Sequence, residues 1–375
     1  MRIAVVGGGP AGLYFAYRWK SRHPDAQIDL FESSPPDATW GFGVVFSERA
    51  MDFLRSDDPA TADYLSPHME TWQNMTINHA GETVILDGIG FSAIGRLEFM
   101  NLLQSLVHSV GITPRYNTTL NSMDELQGYD LIIAADGLNS LVRRSFEGDF
   151  GTSISYLNNK FAWFGTTKPF DSLTQTFVKT DLGTFNAHHY RYAANRSTFI
   201  VECDRATWLA YGFDTKSVED TRHICEEVFA KTLDGHALVS NRSVWRNFPW
   251  LWNERWSFRN MVLVGDALHT AHYSIGSGTR LAMEDVIALI KALEAEPGDL
   301  QKAFALYEAS RRPIVETLVA AAKKSAAWYE DFADHMTLDP LTFTHNYIMR
   351  SGRISPEKLA RMAPQFAARW QAAQK

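Results

Sequence analysis

Apolar runs and their punctuation divide this chain into two kinds of strand. Residues 2–7 (RIAVVG) are apolar and partly β-branched after Arg2, as in a strand buried on both faces of a parallel sheet. The same pattern returns at 130–135 and 261–265, and a shorter strand at 27–31 closes on Glu32. The glycine-rich stretch 7–12 turns into a helix that runs to about residue 21, which makes the first 32 residues one βαβ unit. Over 161–167, 184–192 and 197–203 the period changes to two, predicting longer antiparallel strands, with an amphipathic helix at 222–232 between them and the next parallel strand. Residues 76–86 alternate like a single half-exposed strand. Helices are predicted over 96–111, 278–293 and 300–328, and a strand near 113–116. The Gly-, Pro- and Ser-rich stretch 33–47 reads as a loop, and the tail beyond Pro340 has no decisive period.

Two glycine signatures carry the chemistry. In IAVVGGGPAG, Gly7 permits a tight turn, Gly9 lets a pyrophosphate approach the backbone, and Gly12 packs helix on strand. Pro10 and Ala11 open the helix, whose free amides face the phosphates. Glu32 stands twenty residues after Gly12, where a carboxylate accepts from both ribose hydroxyls and repels a 2′-phosphate. The second signature, MVLVGDALHTAHYSIGSG, places Gly265-Asp266 at a strand end, followed by Gly276 and Gly278. A carboxylate at Asp266 suits ribityl hydroxyls, and side chains at Gly276 and Gly278 would clash with a flavin ring. Two such signatures imply one extended dinucleotide held at both ends, FAD rather than NAD. The expected fold is therefore α/β: an FAD-binding Rossmann-like three-layer domain with an inserted, mostly antiparallel substrate sheet and C-terminal helices. Its expected divisions are a discontinuous FAD-binding domain (1–75, 95–155 and 245–335), a substrate sheet (76–94 and 156–244) and a helical tail (336–375).

Composition narrows the alternatives. A net charge of −7 argues against a general nucleic-acid binder. The two cysteines, Cys203 and Cys225, give neither a metal spacing nor a disulfide framework, as in a reducing cytoplasm. Met1 leads straight into a buried strand, leaving no room for a signal peptide, and no apolar run reaches membrane-spanning length. A cytoplasmic monomer or homodimer without stable membrane association or a bound metal is expected.

A third element, DGLNSLVR at 136–143, completes a resemblance. The three motifs in this order resemble the class A flavoprotein aromatic monooxygenases, the p-hydroxybenzoate hydroxylase-like superfamily. The resemblance runs residue by residue through Asp136, Gly137, Ser140 and Arg143. It makes Asp136 an FAD contact and Arg96 an arginine that reaches the pyrophosphate. The family's proline pair after its Gly-Asp segment is replaced here by Thr270-Ala271-His272-Tyr273, so the wall near the flavin has different chemistry. WGFGVVFSERA, IGRLEFMNLLQ, FIVECDRATW, HTAHYSIGSG and MRSGRIS together are similar to the salicylyl-CoA 5-hydroxylase and 2-aminobenzoyl-CoA monooxygenase group over nearly the whole chain.

The resemblance implies that NADH or NADPH reduces FAD, that O2 adds to give a flavin C4a-hydroperoxide, and that its distal oxygen passes to an electron-rich ring. No protein nucleophile is needed. His272 and Tyr273, in the flavin loop, and His188 are the candidate catalytic residues. On a strand, His188 and Tyr190 share one face and His189 takes the other. Trp40, Gly41, Phe42 and Gly43 are expected to form a mobile loop beside the isoalloxazine. Arg350, Arg353, Lys358 and Arg361 are candidates to meet the phosphates of a CoA ester. The indole-oxidising hydroxylases of violacein biosynthesis share some of these blocks, so a free aromatic or indole-derived substrate stays open. So does a non-enzymatic scaffold like the GDP-dissociation inhibitors.

Overall fold

Arg2–Val6 is an inner strand of a five-stranded sheet, with Ile3, Ala4 and Val5 fully buried. It pairs in parallel with Gln27–Phe31 on one side and Leu131–Ala134 on the other. Met261–Leu263 extends the layer in parallel, and Ser257–Phe258 closes its edge antiparallel. The computed structural model describes residues 1–47 and 50–374. Against the sheet, the helix Pro10–Arg22 packs on Arg96–Ser109 and Gly278–Ala295, and the latter packs on the long helix Leu300–Glu330.

A second sheet of eight strands runs Leu238–Ser240, Thr152–Thr166, Arg196–Cys203, Gly183–Ala193, Leu173–Thr180, Met75–His79 and Glu82–Leu86, with Arg246–Asn253 paired to Thr152–Thr166. Its period-two pattern gives each face a separate task. Phe185, Ala187, Phe199 and Val201 look toward the helices near Cys225 and Phe229 and bury a compact apolar cluster. The opposite face carries Leu173, Phe177 and Tyr190 under the C-terminal helices.

Several elements differ from the sequence pattern. Residues 76–86 form a hairpin, Met75–His79 and Glu82–Leu86, because Ala80 and Gly81 both take positive φ (51° and 81°). A turn with both central residues left-handed usually advertises itself with Asn or Asp, which this one lacks. Gly43–Ser47, expected in a loop, pairs with Phe91–Gly95: the glycines around it hide a Val-Val-Phe run. Residues 113–116 make only a single bridge, Arg115 to Phe31. The helix expected at 222–232 begins earlier, at Val218, where Ser217 caps it, and ends at Val228. In the tail, prolines begin helices instead of breaking them: Pro340–Met349, Pro356–Met362 and Pro364–Ala373 each carry Pro in the first turn.

Phe177 pins this tail to the sheet. Its ring lies 4.6 Å from Phe343, 5.7 Å from Phe332, 5.9 Å from Trp328 and 6.2 Å from Tyr347. Phe177→Ala removes the shared partner of four rings, and a loss of about 3–5 kcal/mol in urea unfolding is expected.

Candidate active site

The first signature builds a tight cradle. Gly7 has φ +101°, and a Cβ there would stand 2.4 Å from the Ala135 carbonyl oxygen. At Gly12 a Cβ would meet the Gly7 oxygen at 1.9 Å, so helix and turn sit in direct backbone contact. Gly9 faces open space and caps the helix Pro10–Arg22 with no side-chain acceptor, which leaves first-turn amides available to an anion. Glu32 accepts from the Gly8 N–H at 2.7 Å and from the Ser34 N–H at 2.7 Å, so its carboxylate is held at the strand end.

Other cofactor candidates also carry open or unpaired groups. Arg96 heads its helix, and its buried Nε has no protein partner. Asp136 accepts from the Leu141 N–H at 2.7 Å through one oxygen, while the other is buried and unpartnered. Gly278 meets nothing where a Cβ would stand, and Gly276 takes φ +59° against Val45. Asp266 is exposed on the turn Gly265–Ala267. Open glycines, unpaired buried donors and acceptors, and a free helix end together suit a dinucleotide.

Two buried residues hold these motifs in register. Arg143 donates to the Leu138 oxygen and to the Ala267 oxygen, the latter at 3.1 Å, tying the Asp136-Gly137 stretch to the second turn. Asp285, which the sequence did not single out, accepts from the Gly265 N–H at 3.1 Å, sits 3.0 Å from His269 Nε2, and receives Arg311 Nε at 2.8 Å. Burial alone would raise its pKa, but His269 and Arg311 outweigh burial and hold it below the usual carboxylate range.

Beside the flavin loop opens a cavity of about 430 Å³. Gln175 and His188 line it from the large sheet, Ser274–Ser277 from the loop, and Tyr347, Arg350, Arg353 and Lys358 from the tail. Of the candidate catalytic residues, only His188 faces this space. His272 is turned inward: its Nδ1 lies 2.8 Å from Ser274 Oγ, and its ring packs against Phe248 and Tyr329. Burial and then Arg350 push its pKa down to about 3, so it is a neutral brace for the loop. Tyr273 donates to Glu202 at 2.6 Å on the far side of the loop. His189, as the strand period requires, points away and meets Thr176 and Phe170.

The segment Trp40–Gly43, expected to be mobile, is fastened. Asn241 Nδ2 donates to the Thr39 and Gly41 oxygens at 3.0 and 3.1 Å. Gly43 donates to Thr198 and accepts from Tyr190, and Arg242 covers the Trp40 ring at 3.6 Å. The neighbouring Glu48 and Arg49 of the WGFGVVFSERA block lie outside the described residues.

Residues 100–322 match a family model described as an FAD binding domain. The chain belongs to the FAD-dependent aromatic monooxygenases. It is 38% identical over 361 residues to a salicyloyl-CoA 5-hydroxylase from a Streptomyces species, covering 94% of this chain and 70% of that one. It is 35% identical over 364 residues to a 3-hydroxy-4-methyl-anthranilyl-[aryl-carrier protein] 5-monooxygenase from Streptosporangium sibiricum, covering 96% and 97%. Its fold matches the tetrameric form of 2-methyl-3-hydroxypyridine-5-carboxylic acid oxygenase with a TM-score of 0.71 at 18% identity, covering 96% and 95%. This monooxygenase uses FAD with NAD(P)H as co-substrate, and takes O2 and a small aromatic substrate. No described helix is long and apolar enough to cross a membrane.

Glu202 gives the hydroxylase a pH signature. Burial pushes its pKa up to about 7, partly offset by hydrogen bonds from Tyr273 and Asn159. A raised carboxyl pKa means that the folded state holds its proton more tightly than the unfolded chain. Stability from this group is therefore full below pH 4.5 and is lost as pH rises to about 7, by of order 3 kcal/mol. Glu202→Gln removes that slope, and urea midpoints of the variant should vary less than wild type between pH 5 and 7.5.

Proposed function

We propose that the ring this monooxygenase hydroxylates arrives as an aryl-CoA thioester, such as salicylyl-CoA. One observation carries the reading. The cavity is lined by Arg280, Arg350, Arg353 and Lys358 and by no Asp or Glu among the described residues, in a chain whose net charge is −7. Arg280 is already paired with Glu284 at 2.7 Å, whereas Arg350 is held only by neutral groups. It donates to Ser325 Oγ at 3.0 Å and to the Tyr347 and Ser274 oxygens, each at 2.8 Å. Its charge is thus fixed in place and uncompensated, which favours an anionic ligand at the mouth. Arg361, the fourth basic residue of the tail, does not line the cavity. The salicyloyl-CoA hydroxylase named above supports the same reading.

In this reading Gly7, Gly9, Pro10, Ala11, Gly12 and Arg96 hold the pyrophosphate of FAD, and Glu32 holds its ribose. Asp136, Gly265 and Asp266 hold the middle of the cofactor. Gly276 and Gly278 bring backbone to the ring, and Gly41, Phe42 and Gly43 flank it. Bound FAD supplies the oxygen-transfer chemistry. The chain orients the aromatic ring over the sheet and keeps bulk water from it, with the tail Tyr347–Lys358 as one wall. His188 offers a neutral hydrogen-bonding edge, since burial and then Arg350 hold its pKa down at about 3.

The test is NADH and NADPH oxidation by the purified flavoprotein with salicylyl-CoA, 2-aminobenzoyl-CoA, their pantetheine thioesters and their free acids, with product masses recorded. Stimulation with gain of one oxygen is expected from a CoA ester and not from its acid. Equal turnover of the pantetheine thioesters would point instead to a ring borne on a carrier protein, and turnover of free acids or indoles alone would overturn the thioester reading. Arg353→Ala is expected to raise KM for the CoA ester by roughly tenfold with little change in kcat, the loss of one charge-assisted contact that holds substrate and transition state alike.

A further inference from the structure

The row Leu173, Gln175, Phe177 faces the tail, and one polar side chain interrupts it. Gln175 stands directly across from His188 on the neighbouring strand. Both line the cavity, and they are only 1% and 4% exposed. Gln175 Oε1 and Nε2 and His188 Nδ1 and Nε2 are all buried, and none has a hydrogen-bond partner. Nearby polar groups on the same sheet differ: both oxygens of Glu202 are paired, by Tyr273 and Asn159, and His189 is paired through Nε2 with Thr176. Two adjacent side chains with every polar atom unpaired by protein are costly to keep unless water or a ligand in the cavity completes them.

The geometry points to Gln175 and His188 as a specificity-determining pair that receives a neutral hydroxyl or amino substituent on the aromatic ring. A neutral imidazole offers one donor and one acceptor, and an amide offers donors and an acceptor. A phenol or an aniline can satisfy both kinds at once. An ionised carboxylate accepts only, and would set its charge against the Gln175 oxygen and the imidazole lone pair. An unsubstituted ring leaves all four atoms unpaired. Sites built to hydrogen-bond a substrate hydroxyl reject the analogue that lacks it far more strongly than apolar pockets reject a missing methylene. His188 stays neutral because it is buried and faces Arg350 from the tail, with His272 behind the loop adding no anion. The orientation this gives the substrate, substituent inward and thioester toward Arg350 and Arg353, rests on the thioester reading above.

The test is calorimetric binding of salicylyl-CoA and benzoyl-CoA, and in parallel of salicylate and benzoate, to the FAD-loaded protein and to Gln175→Leu and His188→Phe. Wild type is expected to bind the hydroxylated ring about 100-fold more tightly than the bare ring, in whichever of the two series it binds. Gln175→Leu should weaken the hydroxylated ligand 10- to 100-fold and leave the bare one unchanged or tighter, so that the preference collapses. His188→Phe should do the same. Because Gln175→Leu removes two unpaired buried atoms, its ligand-free thermal midpoint should equal or exceed that of wild type, which separates lost recognition from lost folding. Binding of acids but not esters would sink the thioester reading while still measuring the pair. Equal loss for both rings in the variants, or no wild-type preference in either series, would overturn the proposal.

Discussion

Asp285 is the point on which the site's geometry depends. It is fully buried in the helix Gly278–Ala295, yet it carries charge because three donors converge on it: the Gly265 N–H, the His269 ring and the Arg311 guanidinium. Those donors come from the second glycine turn, from the segment that leads into the flavin loop, and from the helix Leu300–Glu330. One carboxylate thereby fixes the angle between two helices and the strand end at Met261–Leu263. Removing one partner of a buried pair leaves an uncompensated charge, at a cost of about 3–5 kcal/mol, which is why such a pin is rigid even if it adds little net stability. The open end of the same helix, at Gly278, owes its position beside the cavity to this arrangement.

The polar groups of the interior fall into two populations with different work. Asn253, His272 and the Tyr273–Glu202 pair spend hydrogen bonds on backbone or on neighbouring side chains, and they hold loops that lack regular structure. Arg96, Asp136, Gln175 and His188 retain buried atoms with no protein partner. The first population shapes the walls. The second sits in two places: Arg96 and Asp136 among the cofactor candidates, and Gln175 and His188 on the sheet face of the cavity.

The sequence made the cradle legible because glycine there answers local geometric demands: positive φ at Gly7, and a helix that touches the turn at Gly12. The antiparallel block was legible too, and its period separated His188 from His189. What escaped were relations between distant residues. Gln175 acquires meaning only from a cross-strand register that sets it opposite His188, and Asp285 only from a turn twenty residues earlier and a helix twenty-six residues later. His272 and Tyr273 show the converse failure. Their place beside glycines drew attention to the loop whose later residues, Ser274–Ser277, border the cavity, but which side each ring takes is decided by Phe248, Tyr329 and Glu202, none of them near in sequence. The tail was unreadable for another reason: its helices are short, start at prolines and bury aromatic residues against a sheet formed far upstream.

Arg350 links the two ends of the cavity. Its fork is held by Ser325, Tyr347 and Ser274, and its Cζ lies 3.8 Å from the centre of the Tyr347 ring. None of these partners is negatively charged, so its field reaches into the cavity in both directions. Outward, toward Arg353 and Lys358, it adds to a mouth that attracts anions. Inward, it reinforces burial in keeping His188 and His272 unprotonated. A carboxylate paired with Arg350 would weaken both effects together: the mouth would lose charge and the floor histidine would protonate more easily. A cationic entrance and a neutral, hydrogen-bonding floor are therefore consequences of one decision, to anchor this arginine on carbonyls and hydroxyls alone.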